Sequence, residues 1–422
     1  MFRGVGYISG KSKSAPSLNL DFLLGGLDSR ITFTRASNAW YFDSAGNLVQ
    51  ASTNEPRFDY DPATLQARGL LIEGGRTNGI RNPRLEGAVA GNPGTVPTHM
   101  ATGATGGISG EVFGVGSENG IPYVDFRFTG TVASLGVWAL STEQVSAIAA
   151  TSGQVWAGSF YWRVVSGSGP TVWQINWQEY DSGGTALADV NVAVAAPTTA
   201  ALRTQRVVDT RTLAGGTTAF VRNRVRIAFP AGTYDFTLRI GAPQLELGSF
   251  PTSPIFPAVG SPAASTRAAD NVSVATLTPW FNPNEGTILV EYQRPFVGFN
   301  QFEVNFSDGT YGEFIGLYTS ATNQIAEIRQ GAASQAGLVL EAGAGVNDRL
   351  NKKILAYQVN NFAASLNGAA PIVDTSGSVP IGLTTMRIGT FQGGSQFCSG
   401  WISRIAYYPT RLSNTTLQGL TS

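Results

Sequence analysis

The chain has 422 residues, no net formal charge at pH 7 and a pI near 6.6, with only 13% of residues charged. Nothing in that balance favours nucleic acid or an anionic membrane as a partner. One cysteine, Cys398, and one histidine, His99, exclude an intrachain disulfide and metal binding through His or Cys clusters. The 51 glycines, with abundant Ser, Thr and aromatic residues, are the composition of a turn-rich all-β protein long enough for roughly three domains.

The opening segment, MFRGVGYISGKSKSAPS, lacks the apolar centre of a signal peptide, and no apolar run is long enough to span a bilayer. The expectation is a protein made in the cytoplasm without membrane insertion, with residues 1–15 as a flexible or partner-ordered arm. Ser9-Gly10-Lys11-Ser12 mimics the end of a phosphate-binding loop. Val5 stands where that motif needs glycine, so no nucleotide site is expected.

From Leu20 to Asn82 every cation is arginine. Arg30, Arg35, Arg57, Arg68, Arg76 and Arg81 are interleaved with Asp21, Asp28, Asp43, Glu55, Asp59, Asp61 and Glu73. Guanidinium pairs bidentately with carboxylate and stays charged when partly buried. The pattern therefore describes a network that holds a shape or an interface, although a genome rich in G and C would produce the same arginine preference. Arg30, Arg35, Arg57, Asp59, Asp61, Arg68 and Arg76 are the candidates for an assembly interface. Within the block, AWYF, the turn Asp43-Ser44-Ala45-Gly46 and NLVQA predict a hairpin.

Between 86 and 255 short alternating strands are separated by Gly and Pro turns. Val124, Phe126 and Phe128 oppose Tyr123, Asp125, Arg127 and Thr129. Phe160, Trp162 and Val164 oppose Tyr161 and Arg163. Trp173, Ile175 and Trp177 oppose Gln174, Asn176, Gln178 and Tyr180. Tyr234, Phe236, Leu238 and Ile240 oppose Asp235, Thr237 and Arg239. One apolar and one polar face per strand is what a two-layer jelly roll needs, with Trp162, Trp173 and Trp177 in its core. The one helix expected here covers Thr142 to Ala150. The Pro-rich stretch 256–275 predicts a connector, and 276–422 a second sandwich ending in a helical turn capped by Ser413.

Sugars present hydroxyls in fixed planes and a weakly apolar ring face, so their sites combine amides, charges and aromatic rings. Tyr161, Arg163, Gln174, Asn176, Gln178, Tyr180, Asp125 and Arg127, with Arg239 beside them, supply these groups. If their strands share a sheet, they form one glycan-binding surface. The same face packed against another subunit is the alternative. A Ser-His-Asp triad would have to use His99, and no nucleophile elbow accompanies it. Glycoside hydrolysis needs only two carboxylates. Glu179 with Asp181, and Glu303 with Asp308, are the available pairs, against the reading of Asp181 as a turn residue. No cofactor is expected, and Asp308, Asn347 and Asp348 are the residues to check for calcium.

The phrases LDSRITFTRASNAWYFDSAGNLV, NEPRFDYDPATL and RGLLIEGGRTN resemble the N-terminal module of tailed-bacteriophage fibre and head-spike proteins. GAPQLELGSFPTSPIFPAVGSPAASTRAAD is similar to the segment closing a carbohydrate-binding-like module in those proteins. GWISRIAYYPTRLSNTTLQGL resembles the end of concanavalin-like and laminin-G-like sandwiches. The resemblance implies a noncatalytic virion protein, or its counterpart in a gene-transfer agent, organised as an attachment and trimerisation module (1–85), a jelly roll (86–255), the connector and a terminal sandwich. It implies a homotrimer held by other virion proteins at a capsid vertex, neck or tail, binding host-surface polysaccharide. A glycan hydrolase or lyase and a purely structural decoration are the alternatives.

Overall fold

The structure is a computed structural model describing residues 15–343, 348–391 and 395–422. Strands make up 52% of it and helix 3%, so the chain is all-β. It folds as two compact units, each assembled from separated stretches. One comprises Thr34–Ala67 and Gly74–Asp270; the other comprises Asn271–Ser422 with Arg68–Glu73 and the residues up to Phe33. Residues of the N-terminal block are thus divided between both units, and 256–270 folds with the first.

The hairpin lies where the turn chemistry puts it. Ala39–Phe42 pairs with Leu48–Ala51, the Asp43 carboxylate accepts the N–H groups of Ala45 and Asn47, and Gly46 takes φ 76°, which glycine adopts without steric cost. The helix expected at 142–150 does not form. Its backbone is drawn into sheet pairing instead, because Val221 N–H donates to Ile148 O and Ala149 bridges Phe220. Ile148 is buried in the apolar core, and tertiary packing overrides a weak local preference.

Two long strands organise the first unit. Phe220–Leu247 and Ile121–Ser141 pair along most of their lengths, with a register break between Val132 and Leu135. Before the bend, residues 220–228 of the first pair with Val172–Tyr180, whose other edge carries Ala186–Ala193. Beyond it, residues 236–247 pair with Val155–Gly167, which carries Arg206–Thr212. The partner strand divides likewise, taking Ala101–Thr105 at 137–141 and Ser109–Glu118 at 121–129. Each long strand therefore runs through both layers, and the hydrogen-bonded network folds over into a five-on-five jelly roll.

The inner faces meet in a core that includes Val124, Phe126, Phe128, Trp138, Phe160, Trp162, Trp173, Ile175, Trp177 and Phe236. Trp162 meets Trp173 edge-on at 5.3 Å across the two layers, within the range where aromatic pairs attract beyond simple burial. The three tryptophans expected in the core are there.

The second unit is also a sandwich. Gly400–Tyr408 pairs with Glu285–Gln293 on one edge and, on the other, with Leu18–Asp21 and residues 70–72. The facing sheet runs Asn271–Val274, Thr385–Ile388, Gln301–Ser307, Phe314–Thr319, Asn323–Gln330, Ala333–Ala342. Between the sheets Trp280, Phe281, Phe306 and Tyr407 pack as an aromatic cluster. In the same interior Lys353 Nζ lies 3.0 Å from Glu303 Oε2, with both side chains fully buried, and Arg294 Nη1 lies 3.7 Å from the other oxygen of Glu303. Ser413 Oγ accepts the Thr416 N–H at 3.2 Å and caps the helix Asn414–Thr421.

Candidate functional site

The polar residues singled out from the alternation do not converge on one surface. Gln174, Asn176, Gln178 and Tyr180 lie on the strand Val172–Tyr180, in the layer built by the first part of Phe220–Leu247. Tyr161, Arg163, Asp125 and Arg127 lie on Val155–Gly167 and the first half of Ile121–Ser141, in the opposite layer. The sandwich core separates their outer faces.

The second of these faces is largely spent on internal contacts. Tyr161 is 2% exposed and packs with Phe42, Leu48, Ile121, Leu202 and Phe256 under the hairpin. Asp125 receives a bidentate pair from Arg239 at 2.8 and 2.9 Å. Glu118 holds Arg239 and Arg163, while Arg127 pairs with Asp235 at the surface. Tyr161 is thus covered by the hairpin, and the Asp125 carboxylate is taken up by Arg239.

The first face is different. Its three alternating outward positions on the long strand are Arg222, Arg224 and Arg226, in register with Gln178, Asn176 and Gln174. Each arginine is gripped by its opposite amide: Arg222 Nε donates to Gln178 Oε1 at 2.7 Å, Arg224 Nε to Asn176 Oδ1 at 2.6 Å, and Arg226 Nη1 to Gln174 Oε1. Asn176 and Gln178 turn their amide N–H groups to Asp189, which also takes Arg224 Nη2 at 3.0 Å. Asn176 is fully buried, and Gln178 and Tyr180 are 6% exposed. The amides of Asn176 and Gln178 and the Tyr180 ring are taken up by the arginines and Asp189. The ring of Tyr180 lies 5.2 Å beneath the Arg222 guanidinium.

Three cations stand on this face against the single carboxylate of Asp189. Burial first, and then the neighbouring Arg224 charge, lower the proton affinity of Arg226; Arg222 is lowered chiefly by burial. For Asp189 burial acts upward, but the amide hydrogen bonds and the arginine charges outweigh it and hold the carboxyl below its ordinary value. Beside Arg224 the sheet bears small side chains. Ala101, Gly103, Ala139 and Ser141 line a groove of about 350 Å³ that Arg224 closes on one side. The signal for these arginines was present in the alternation of Val221-Arg222-Asn223-Arg224-Val225-Arg226.

The candidate carboxylate pairs are not built for hydrolysis. Glu179 is fully buried, and it accepts from Arg211, Thr218 Oγ1 and the Gly215 N–H. Burial pushes its carboxyl upward, yet these donors prevail and hold it below the usual range, the opposite of what a general acid needs. Asp181 shapes its own turn through the N–H groups of Gly183 and Thr185. Glu303 is bound to buried Lys353, and Asp308 accepts from Thr310. His99 takes φ 70° in a turn.

Among the described residues no three His, Cys, Asp or Glu side chains are gathered to hold a metal. Of the residues to check for calcium, Asp308 is engaged in its turn, Asp348 faces Gln293, and Asn347 lies outside the described residues, as does the Ser9–Ser12 segment.

The proposed assembly arginines are engaged within their own units. Arg35 and Arg57 are fully buried and both reach Asp270, at 3.1 and 2.6 Å. Asp59 accepts the Phe42 N–H at 2.7 Å, and Asp61 accepts from Ala63 and Thr64. Arg68 covers the ring of Trp401 at 4.2 Å, and Arg76 that of Phe250 at 5.2 Å. Arg30 pairs with Asp28 on the surface. Arg35 and Arg57 offer no side-chain surface to a second subunit, since both side chains are fully buried and donate also to the carbonyls of Ser37, Ser52 and Trp40 and to Ser253 Oγ.

No protein-family model matches the chain, and no curated protein matches it in sequence. Among solved structures the chain is similar to the CBM40 module of the Ruminococcus gnavus IT-sialidase, with 19% identity over 33% of this chain and 84% of that one and a TM-score of 0.29. It is similar to the NanB sialidase of Streptococcus pneumoniae, with 11% identity over 34% of this chain and 25% of that one and a TM-score of 0.30. It is also similar to the CBM22-1 xylan-binding domain of Paenibacillus barcinonensis Xyn10C, with 16% identity over 35% of this chain and 85% of that one and a TM-score of 0.24. At these scores none of the three likenesses carries an argument about ligand or activity.

Proposed function

We propose that this protein is a noncatalytic glycan adhesin. The observation that carries the reading is the outer face of the layer formed by Val172–Tyr180 and residues 220–228. There a ladder of guanidinium groups is fixed by strand amides beside a groove of small residues. Preorganised donors next to an open, flat-floored groove suit a polyhydroxylated chain, because little side-chain freedom is lost on binding. The phrases of the N-terminal block support the further reading that the adhesin is carried on a phage-like particle as a short fibre or spike, assembled as a homotrimer.

Incubating the purified protein with bacterial capsular polysaccharide and lipopolysaccharide tests the reading. Retention of polysaccharide without release of reducing ends is expected. Steady release of reducing ends would make the protein a depolymerase, and absence of retention would remove the adhesin role. Light scattering of the same preparation checks the trimer, and immunogold labelling of particles checks the virion location.

A further inference from the structure

Resting on the reading of that face as a glycan site, we propose that its ligand is an acidic polysaccharide, one whose sugars carry carboxylates, and that the arginine ladder is what reads the charge. Arg222, Arg224 and Arg226 occupy alternate positions of one strand, so their Cα atoms span roughly 13 Å at about 3.3 Å per residue. That run is longer than a single sugar ring and lies along one line, as successive anionic groups of a polymer would.

Two features make the ladder a receptor rather than a solvated stripe. First, its geometry is set in advance. The carbonyl oxygens of Gln174, Asn176 and Gln178 each take one guanidinium N–H, and Asn176 and Gln178 are themselves held by Asp189. Second, donors remain over. Arg224 Nη1 and both Nε and Nη2 of Arg226 donate to no group among the described residues, and none of these atoms is among the buried unpaired nitrogens. They face solvent, in fixed positions, with more positive charge than Asp189 neutralises. A planar carboxylate that accepts two such N–H groups gains paired, charge-assisted hydrogen bonds. The groove beside Arg224, floored by Ala101, Gly103, Ala139 and Ser141, leaves room for the ring that bears it.

The test uses the full chain and immobilised polymers: alginate and colominic acid as polycarboxylates, dextran as an uncharged chain, and dextran sulfate as a charge control. Alginate or colominic acid should be retained, dextran should not, and retention should fall steeply between low and high salt, since exposed ion pairs are screened. Arg226→Gln and Arg224→Gln should each weaken retention at least about tenfold, the loss of one charge-assisted contact. Arg127→Gln, on the opposite face, should leave it unchanged. Because Arg224 also holds Asn176, its melting temperature is compared with wild type. Arg226, whose side chain among the described residues donates only to Gln174, gives the cleaner variant. Retention of dextran equal to that of alginate, insensitive to salt, would overturn the acidic-ligand proposal and leave the glycan reading standing. Retention of dextran sulfate alone would also overturn it. Failure to retain any polymer, including native capsule, would overturn both.

Discussion

Arg57 Nη2 lies 2.6 Å from Asp270 Oδ2 with no part of either side chain exposed. The same carboxylate holds Arg35 through its other oxygen at 3.1 Å, so sequence separations of 213 and 235 positions are closed at one point. Arg267, also buried, fixes the surroundings through Thr252, Ser253 and Gly74 O. Arg35 and Arg57, two arginines of a block that reads in sequence as holding a shape or an interface, form a clasp inside the first unit.

Removing the acceptor from this clasp should be far more damaging than changing a surface pair. Asp270→Asn withdraws the buried carboxylate that both guanidinium groups reach, at a cost of about 3–5 kcal/mol. Arg30→Gln, which opens only the exposed pair with Asp28, should cost less than about 1 kcal/mol. Urea unfolding of the two variants measures the contrast. Similar midpoints would contradict the assignment of Asp270 as the central acceptor.

Lys353 and Glu303 make a second prediction, in the other unit. Burial pulls the lysine down to about 8, against the opposing pull of Glu303. The unfolded chain keeps that proton up to the ordinary value of 10.5. Between these values the unfolded state binds more protons than the folded one, so this group's contribution to stability rises with pH across the window and is lost as pH falls through about 8. Wild type should therefore gain stability relative to Lys353→Met between pH 8 and 10, as read by thermal melts. At neutral pH Glu303→Leu, which takes the carboxylate from both buried Lys353 and buried Arg294, should cost about 3–5 kcal/mol. A flat pH difference, or a Glu303→Leu protein as stable as wild type, would refute the coupling.

Tyr161 and Asn176 can be separated by stability and binding together. Tyr161→Ala empties a site in the cluster with Phe42 and Leu202 and should destabilise by about 3–5 kcal/mol, as aromatic truncations in a core do. Glycan retention per folded molecule should stay the same. Asn176→Ala should weaken retention instead, because Arg224 Nε and Asp189 lose the amide that aligns them. Calorimetric melts paired with polymer retention assays distinguish the two. Normal retention by a folded Asn176→Ala protein would count against preorganisation of the ladder.

At the end of the chain the effect should be local. Ser413→Ala removes the cap on the Thr416 N–H and should cost about 1 kcal/mol. Hydrogen exchange should show it as faster exchange across Asn414–Thr421, with the strands of the same sandwich little changed.

Alternation along single strands determined much of this protein by itself. Val124, Phe126 and Phe128 against Asp125 and Arg127, and Trp173, Ile175 and Trp177 against Gln174 and Asn176, told which side of each strand faces a core, because the pleat has a fixed period of two. The Asp43–Gly46 turn and the Ser413 cap were equally legible, since both are made by residues within a few positions of one another. Tertiary structure alone decided which strands share a layer. Backbone pairing carries almost no sequence code, so nothing local says that Phe220–Leu247 passes through both layers or that Tyr161 and Asn176 stand on opposite sides of one core. It also decided the fate of the charges: a side chain named polar by its period becomes a buried strut, a clasp or an open donor according to what is packed over it. Arg57 and Arg224 are the same residue type on the same kind of strand-rich scaffold, and only the long-range packing around Asp270 and the bareness of the groove beside Ala101 and Gly103 separate the one from the other.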